Sequence, residues 1–182
     1  MKWVTRDHVH MDRVASPWLI RRFIDPEAEF AFVPFGKEAR LPEGAIPFAL
    51  PGVELGPHDA AGSTFRKILK KYRIEDQALE MLAEIIESGI VHVFSQIDHG
   101  HTDVAALKFP EGIGLDALSQ GMMFIANDDR DDIEQSMVLY DALYAYCRAR
   151  LLAAEKPELA RHPFPERWDV MKRELRHRAK DR

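Results

Sequence analysis

"MDRVASPWLIRRFIDPEAEFAFVPF", residues 11–35, decides the fold class, because it holds a helix, a forced stop and a strand in one run. Ser16 offers an oxygen to cap free N–H groups, and Pro17 suits a first helical position, so a helix is expected over 17–24. Asp25 precedes Pro26 and is steered away from helical angles, which ends it. Phe30, Phe32 and Val33 then alternate in "AEFAFVPF" (28–35), the pattern of a strand.

Outward from this stretch, "KWVTR" (2–6) reads as a first strand and "AIPFAL" (45–50) as an edge strand, its Pro47 unable to donate to a ladder. Residues 51–64, "PGVELGPHDAAGST", are turn-rich and carry His58. Beyond them helical spacing dominates. It runs through Phe65, Ile68, Leu69 and Tyr72, then Leu79, Leu82, Ile85 and Ile86 up to an expected stop at Gly89. A further helix starts near Gly112 and carries Leu115, Leu118 and Met122. The longest, at about 130–154, has a stripe of Ile133, Met137, Tyr140, Tyr144 and Cys147. The expected architecture is α+β: one predominantly helical domain with a small sheet of two or three short strands. Residues 1–155 form the domain. Residues 156–182 form a basic helical extension that docks Trp168, Met171 and Leu175, with seven Lys/Arg against four Asp/Glu over 166–182.

Composition narrows the function. With 46% hydrophobic and 30% charged residues the chain suits one folded core, and a net charge of −5 argues against nucleic acid as the main partner. No apolar run reaches membrane-span length and no signal-peptide core follows Met1, so a cytoplasmic protein without membrane contact is expected. The single cysteine, Cys147, excludes an internal disulfide and a multi-cysteine zinc site, and its apolar stripe marks it as core. Phosphate-loop, dinucleotide, serine-elbow and zinc-protease motifs are all missing from the sequence.

Three features carry candidate chemistry. Arg21 and Arg22 follow Trp18 by three and four residues on one helical face, with Arg13 a turn or two earlier. Paired guanidinium forks suit a tetrahedral oxyanion or a carboxylate, and the competing reading has them bridge Asp12 and Asp25 to staple the helix ends. His58 is a loop imidazole fit for a metal or for acid–base work. "DHGHTD" gathers Asp98, His99, His101 and Asp103, nitrogen and oxygen donors that suit zinc, manganese, iron or nickel, or else form a solvated loop. His8 and His10 add imidazoles. "NDDRDDIE" reads as a helix cap at Asn127 or Asp128.

"WVTR", "MDRVASPWLIRRFIDPEAEFAFVP", "AIPFALPGVELGPHD" and "GLDALSQGMMFIANDDRDDIEQSMVLYDALYAYCR" together, over about residues 3–150, resemble the C-terminal domain of the ChrB family of chromate resistance proteins. Some members of that family are chromate-responsive regulators, and others are joined to a rhodanese-like domain. Arg21 and Arg22 match its arginine pair. Asp12, Trp18, Asp25, His58, Asp98, Asp128, Asp129 and Asp141 fall on its recurring polar and aromatic positions. The resemblance implies a sensor or accessory protein of the chromate or metal-stress response that binds a small chromate- or sulfate-like oxyanion or a divalent metal. Arg13, Arg21, Arg22 and Trp18 are the expected anion contacts; His58, Asp12, Asp98, His101 and Asp103 are the expected metal set. A metal-dependent lyase or hydrolase acting on a small anion is the alternative. The chain begins where that domain begins, without the regulators' N-terminal part, so direct DNA binding is not expected; a homo-oligomer is compatible with the sequence.

Overall fold

The structure is a computed structural model that describes residues 1–38 and 41–180, with side chains up to residue 176. Strand β1 (Lys2–Arg6) leads into α1 (Asp12–Phe23), β2 (Glu29–Val33) and β3 (Ile46–Pro47); α2 (Thr64–Tyr72), α3 (Gln77–His99), α4 (Glu111–Ile125), α5 (Asp129–Glu155) and α6 (Glu166–Lys180) follow. The three strands make one parallel sheet in the order β2-β1-β3, with Trp3 of β1 beside Phe30 on one side and Ile46 on the other. Helix α1 is the crossover that lets β1 and β2 run parallel. The α+β class with dominant helices is therefore correct.

Two aromatic knots join the layers. Trp3, fully buried, meets the rings of Phe48 and Tyr72, each at 6.1 Å between centroids. Trp18 stacks on Phe65 at 6.3 Å and touches Tyr140, Tyr144 and Phe23, so α1, α2 and α5 share one apolar centre. Cys147 lies in the same core, and burial pushes its thiol up to about 12, which leaves it an inert hydrophobe. At the far end of α5, Leu152 packs with Leu159 and Met171 to seat α6. Trp168, expected on that seam, is half exposed and edges onto Phe164 instead. The last residues of the basic segment lie outside those described.

Several element bounds differ from expectation, for identifiable reasons. Helix α1 starts at Asp12, so Pro17 sits inside it and Ser16 does not cap it. One lost N–H bond there is tolerated because both flanks of the helix are buried in the core. The strands shrink to 29–33 and 46–47. Gly89 does not end α3, which runs on through the stretch read as polar loop to a left-handed stop at Gly100. Its role is close approach: a Cβ on Gly89 would lie 2.8 Å from the Gly112 carbonyl and 2.8 Å from the Met11 methyl, while one on Gly112 would strike the Gly89 amide. The two glycines let α3 and α4 cross backbone to backbone. At the start of α5, Asp128 caps the Asp131 amide at 2.8 Å, as read from the sequence.

Gly89→Ala must push α3 and α4 apart. We expect a loss of about 1–3 kcal/mol, read as a lower urea midpoint at unchanged slope.

Candidate functional site

The arginine pair is already answered within the fold. Arg22 donates two parallel bonds to Asp141 of α5, Nε to Oδ1 at 2.9 Å and Nη2 to Oδ2 at 2.6 Å, and Trp18 Nε1 donates to the same Oδ1 at 2.8 Å. These bonds from Arg22 hold the Asp141 carboxyl below the usual carboxylate range. Arg21 reaches Glu134 of α5 at 2.5 Å and the Ala28 carbonyl at 3.3 Å, and lies over the Phe30 ring. Asp12 and Asp25, the partners weighed in the sequence, are engaged elsewhere, Asp25 with the N-terminal amine and the Glu27 amide.

A different pair of arginines faces a cavity of about 210 Å³, whose walls include Arg6, His10, Asp12, Arg13, His58 and Phe94. It opens where β1 and the β3 region end, beside the N-termini of α1 and α2. In parallel sheets this crevice beyond the carboxyl ends of the strands is where ligands bind. Arg13 donates to the Asp7 carbonyl at 3.2 Å and Arg6 lies over the Phe35 ring, yet neither forms an ion pair among the described residues. Burial, and then the neighbouring Arg6, push the Arg13 guanidinium down from its ordinary value. The Asp12 carboxylate shares the cavity wall and, with Asp129 and Asp7, attracts the Arg13 guanidinium, but none of them pairs with either arginine by direct contact.

Local folding fixes the other walls. Asp12 is buried and accepts the Thr64 amide at 2.7 Å and the Phe65 amide at 2.9 Å, so it sits over the start of α2. Burial raises its carboxyl above the usual range, with the Phe65 and Thr64 amides pulling the other way. The loop that carries His58 is tied to α2, since Thr64 Oγ1 donates to the Gly56 carbonyl at 2.8 Å and Lys67 Nζ to the Pro57 carbonyl at 2.6 Å. His58 Nδ1 is buried with no hydrogen-bond partner. Behind His10 lies Asp116 of α4, whose Oδ1 is 3.1 Å from His10 Nε2 but misaligned for a hydrogen bond; His92 Nε2 is 3.8 Å from Oδ2, and Gln120 donates to that oxygen at 2.9 Å. Met11 adopts a positive φ of 42° at the rim, held by its amide on Ser119 Oγ at 2.8 Å and by Tyr140 Oη donating to its carbonyl at 3.0 Å. Strain pinned from two sides in this way gathers at working sites.

Of the residues singled out in the sequence, the structure brings Arg13, Asp12 and His58 together and leaves Arg21, Arg22 and Trp18 on the α1–α5 seam. Asp98 is exposed on the last turn of α3, His101 bonds the His99 carbonyl, and Asp103 caps a short turn through the Ala105 amide at 3.0 Å. Among the described residues no three His, Cys, Asp or Glu side chains are arranged to hold a metal ion. Arg6, His92 and Asp116 join the cavity or its back wall without a sequence motif to mark them. The dense charge of "RDHVHMD" just after a strand was the available signal for the cavity, and it named His10 only as one more imidazole.

Burial lowers the pKa of His10, with Asp116 pulling it back up. Below the ordinary value of about 6.5 the unfolded chain takes up a proton that folded His10 resists. Stability should thus fall as pH drops from 7.5 towards 5.5, and His10→Asn should flatten that slope in urea midpoints.

Comparison with known proteins agrees with the motifs. Residues 3–147 match the family described as ChrB, C-terminal domain. The chain is 35% identical over 147 residues to Protein ChrB of Cupriavidus metallidurans (strain ATCC 43123 / DSM 2839 / NBRC 102507 / CH34), an alignment that covers 80% of this chain and 40% of that protein. The chain therefore matches less than half the length of this relative. No solved structure matches, and none of the described helices is long and apolar enough to cross a membrane. With a family match from β1 to Cys147, taking in the cavity and the α1–α5 seam, the chain belongs to the ChrB C-terminal-domain family, the chromate-resistance family its motifs resemble.

Proposed function

We propose that this chain takes part in the chromate response as a sensor or accessory domain that receives a small, doubly charged tetrahedral oxyanion, chromate or sulfate-like, in the cavity between Arg6, Arg13, His10 and His58. One observation carries the reading. Two guanidinium groups without a carboxylate contact face the same cavity as a buried imidazole nitrogen without a partner.

The physics favours an anion there on two counts. Arg6 and Arg13 repel each other across the cavity, against the pull of Asp129, Asp12 and Asp7 on Arg13, and an anion between the two guanidinium groups gains two charge-assisted attractions. A volume of about 210 Å³ also takes a five-atom anion together with several waters, each needing about 30 Å³. His58 supplies a directional contact in the tautomer that carries a hydrogen on Nδ1, which donates to an anion oxygen. The α1 arginines then have a structural part on the α1–α5 seam, outside the cavity wall.

Calorimetric titration with chromate and with sulfate tests this. Each anion should bind the chain, and Arg13→Gln or Arg6→Gln should weaken it on the order of 10- to 100-fold, while Arg21→Gln leaves the affinity unchanged. Binding that survives both cavity substitutions, or that vanishes with Arg21→Gln alone, would overturn the assignment.

A further inference from the structure

The cavity that Arg6 and Arg13 face has two unlike kinds of wall. Arg6 comes from the end of β1, Arg13 from α1 and His58 from the 51–63 loop, so the cationic and imidazole groups enter from these elements. Helix α3 contributes Ile90, Val93 and Phe94, whose spacing of three and four residues puts them on one helical face, and it adds no polar side chain to the wall. Ile90 belongs to the core, Val93 is half-buried against it, and Phe94 is 53% exposed. A large apolar ring is thus left partly in water in the same cavity as two guanidinium groups. Asp12, the one carboxylate among the described wall residues, accepts the Thr64 and Phe65 amides, one on each oxygen.

We propose that the ligand of this cavity is a small organic anion, a sulfonate- or phosphonate-type head of three oxygens carried on an apolar carbon body, an inference that rests on the anion reading above and names the class of ligand. A bare sulfate-like ion carries oxygen at all four corners, and α3 offers none of them a donor. Either an oxygen or the water that hydrates it must then lie against an apolar surface, which is costly. Replacing one corner by carbon removes the mismatch. Three oxygens remain for Arg6, Arg13 and a hydrogen on His58 Nδ1, while the carbon body takes the exposed area of Phe94 and Val93 out of water. Small-molecule sites are commonly divided in this way, with an apolar lining and a few placed polar groups. Size limits the body: at about 210 Å³ the cavity falls below the roughly 300–1,000 Å³ of sites for drug-sized ligands, so a single ring or a short chain is the fit.

Calorimetric titration of the full chain with benzenesulfonate, methanesulfonate and sulfate tests this. Benzenesulfonate should bind at least about 10-fold tighter than methanesulfonate, because the two share one head group and differ in the ring. Sulfate should displace it, and Arg13→Gln should weaken all three. Phe94→Ser should bring the two sulfonates to within about 3-fold of each other, and Phe94→Trp should restore the gap. The sulfonate pair is compared on the unaltered chain, so the test stands even where a variant fails to fold. Phenylphosphonate, with the same ring on a more highly charged head, assigns the phosphonate type if it binds tighter than benzenesulfonate and the sulfonate type if it binds more weakly. Sulfate bound through Arg13 with the two sulfonates alike overturns the organic ligand and leaves the anion reading standing. Absence of any Arg13-dependent binding overturns both. Benzenesulfonate that sulfate does not displace sits outside the cavity and overturns the organic ligand as well.

Discussion

The carboxylate of Asp12 sets the geometry on which the rest of the chain depends. It stands in the first turn of α1 and accepts the opening amides of α2, so two helices separated by the strands and loops of residues 24–63 are locked at one point. Burial works against the charged form, and the α2 N-terminus works for it. A carboxylate at that position is thus retained by the amides it satisfies, which in turn need it because water is excluded there. Everything at the cavity follows from this anchor: Arg13 and His10 flank Asp12 in sequence, and the His58 loop hangs on the α2 turn that Asp12 caps.

Why the arginines of α1 occur inside an apolar helix can now be answered in energetic terms. An unpaired guanidinium on that face would be pressed against Trp18, Phe23 and Tyr144. Asp141 instead collects both the Arg22 fork and the Trp18 indole, and Glu134 takes Arg21. Since the Arg22 pair is partly exposed its net worth is small, and its value lies in register: a fork meeting a carboxylate fixes how α1 is rotated on α5. Trp18, buried at the centre of the aromatic knot, supplies the apolar area that this register places correctly.

The sequence made the helices legible because their period is local, and the α+β class followed from one helix, one Pro-stop and one strand. What it could not show was anything decided between distant segments. Gly89 looks like a stop to a reader of one helix, but its purpose is the carbonyl of Gly112 on another. Pro17 looks like a first position, yet burial on both sides keeps the helix going through it. The arginine pair was visible as unusual chemistry, whereas its partners on α5 lie more than a hundred residues away. Arg6 and His10 are less legible, because a charged cluster after a short strand reads as a turn, and the 51–63 loop that supplies Pro57 and His58 to the same cavity lies far along the chain.

Helix α4 ties these observations into one mechanical unit. Its inner face carries Asp116 against His10 and Ser119 under the Met11 amide, so it braces the strained rim of the cavity. Its outer face carries Leu118, Phe124 and Ile125. A helix is stiff over its 15 residues, and the Gly89–Gly112 crossing leaves it no room to slide against α3 without a clash.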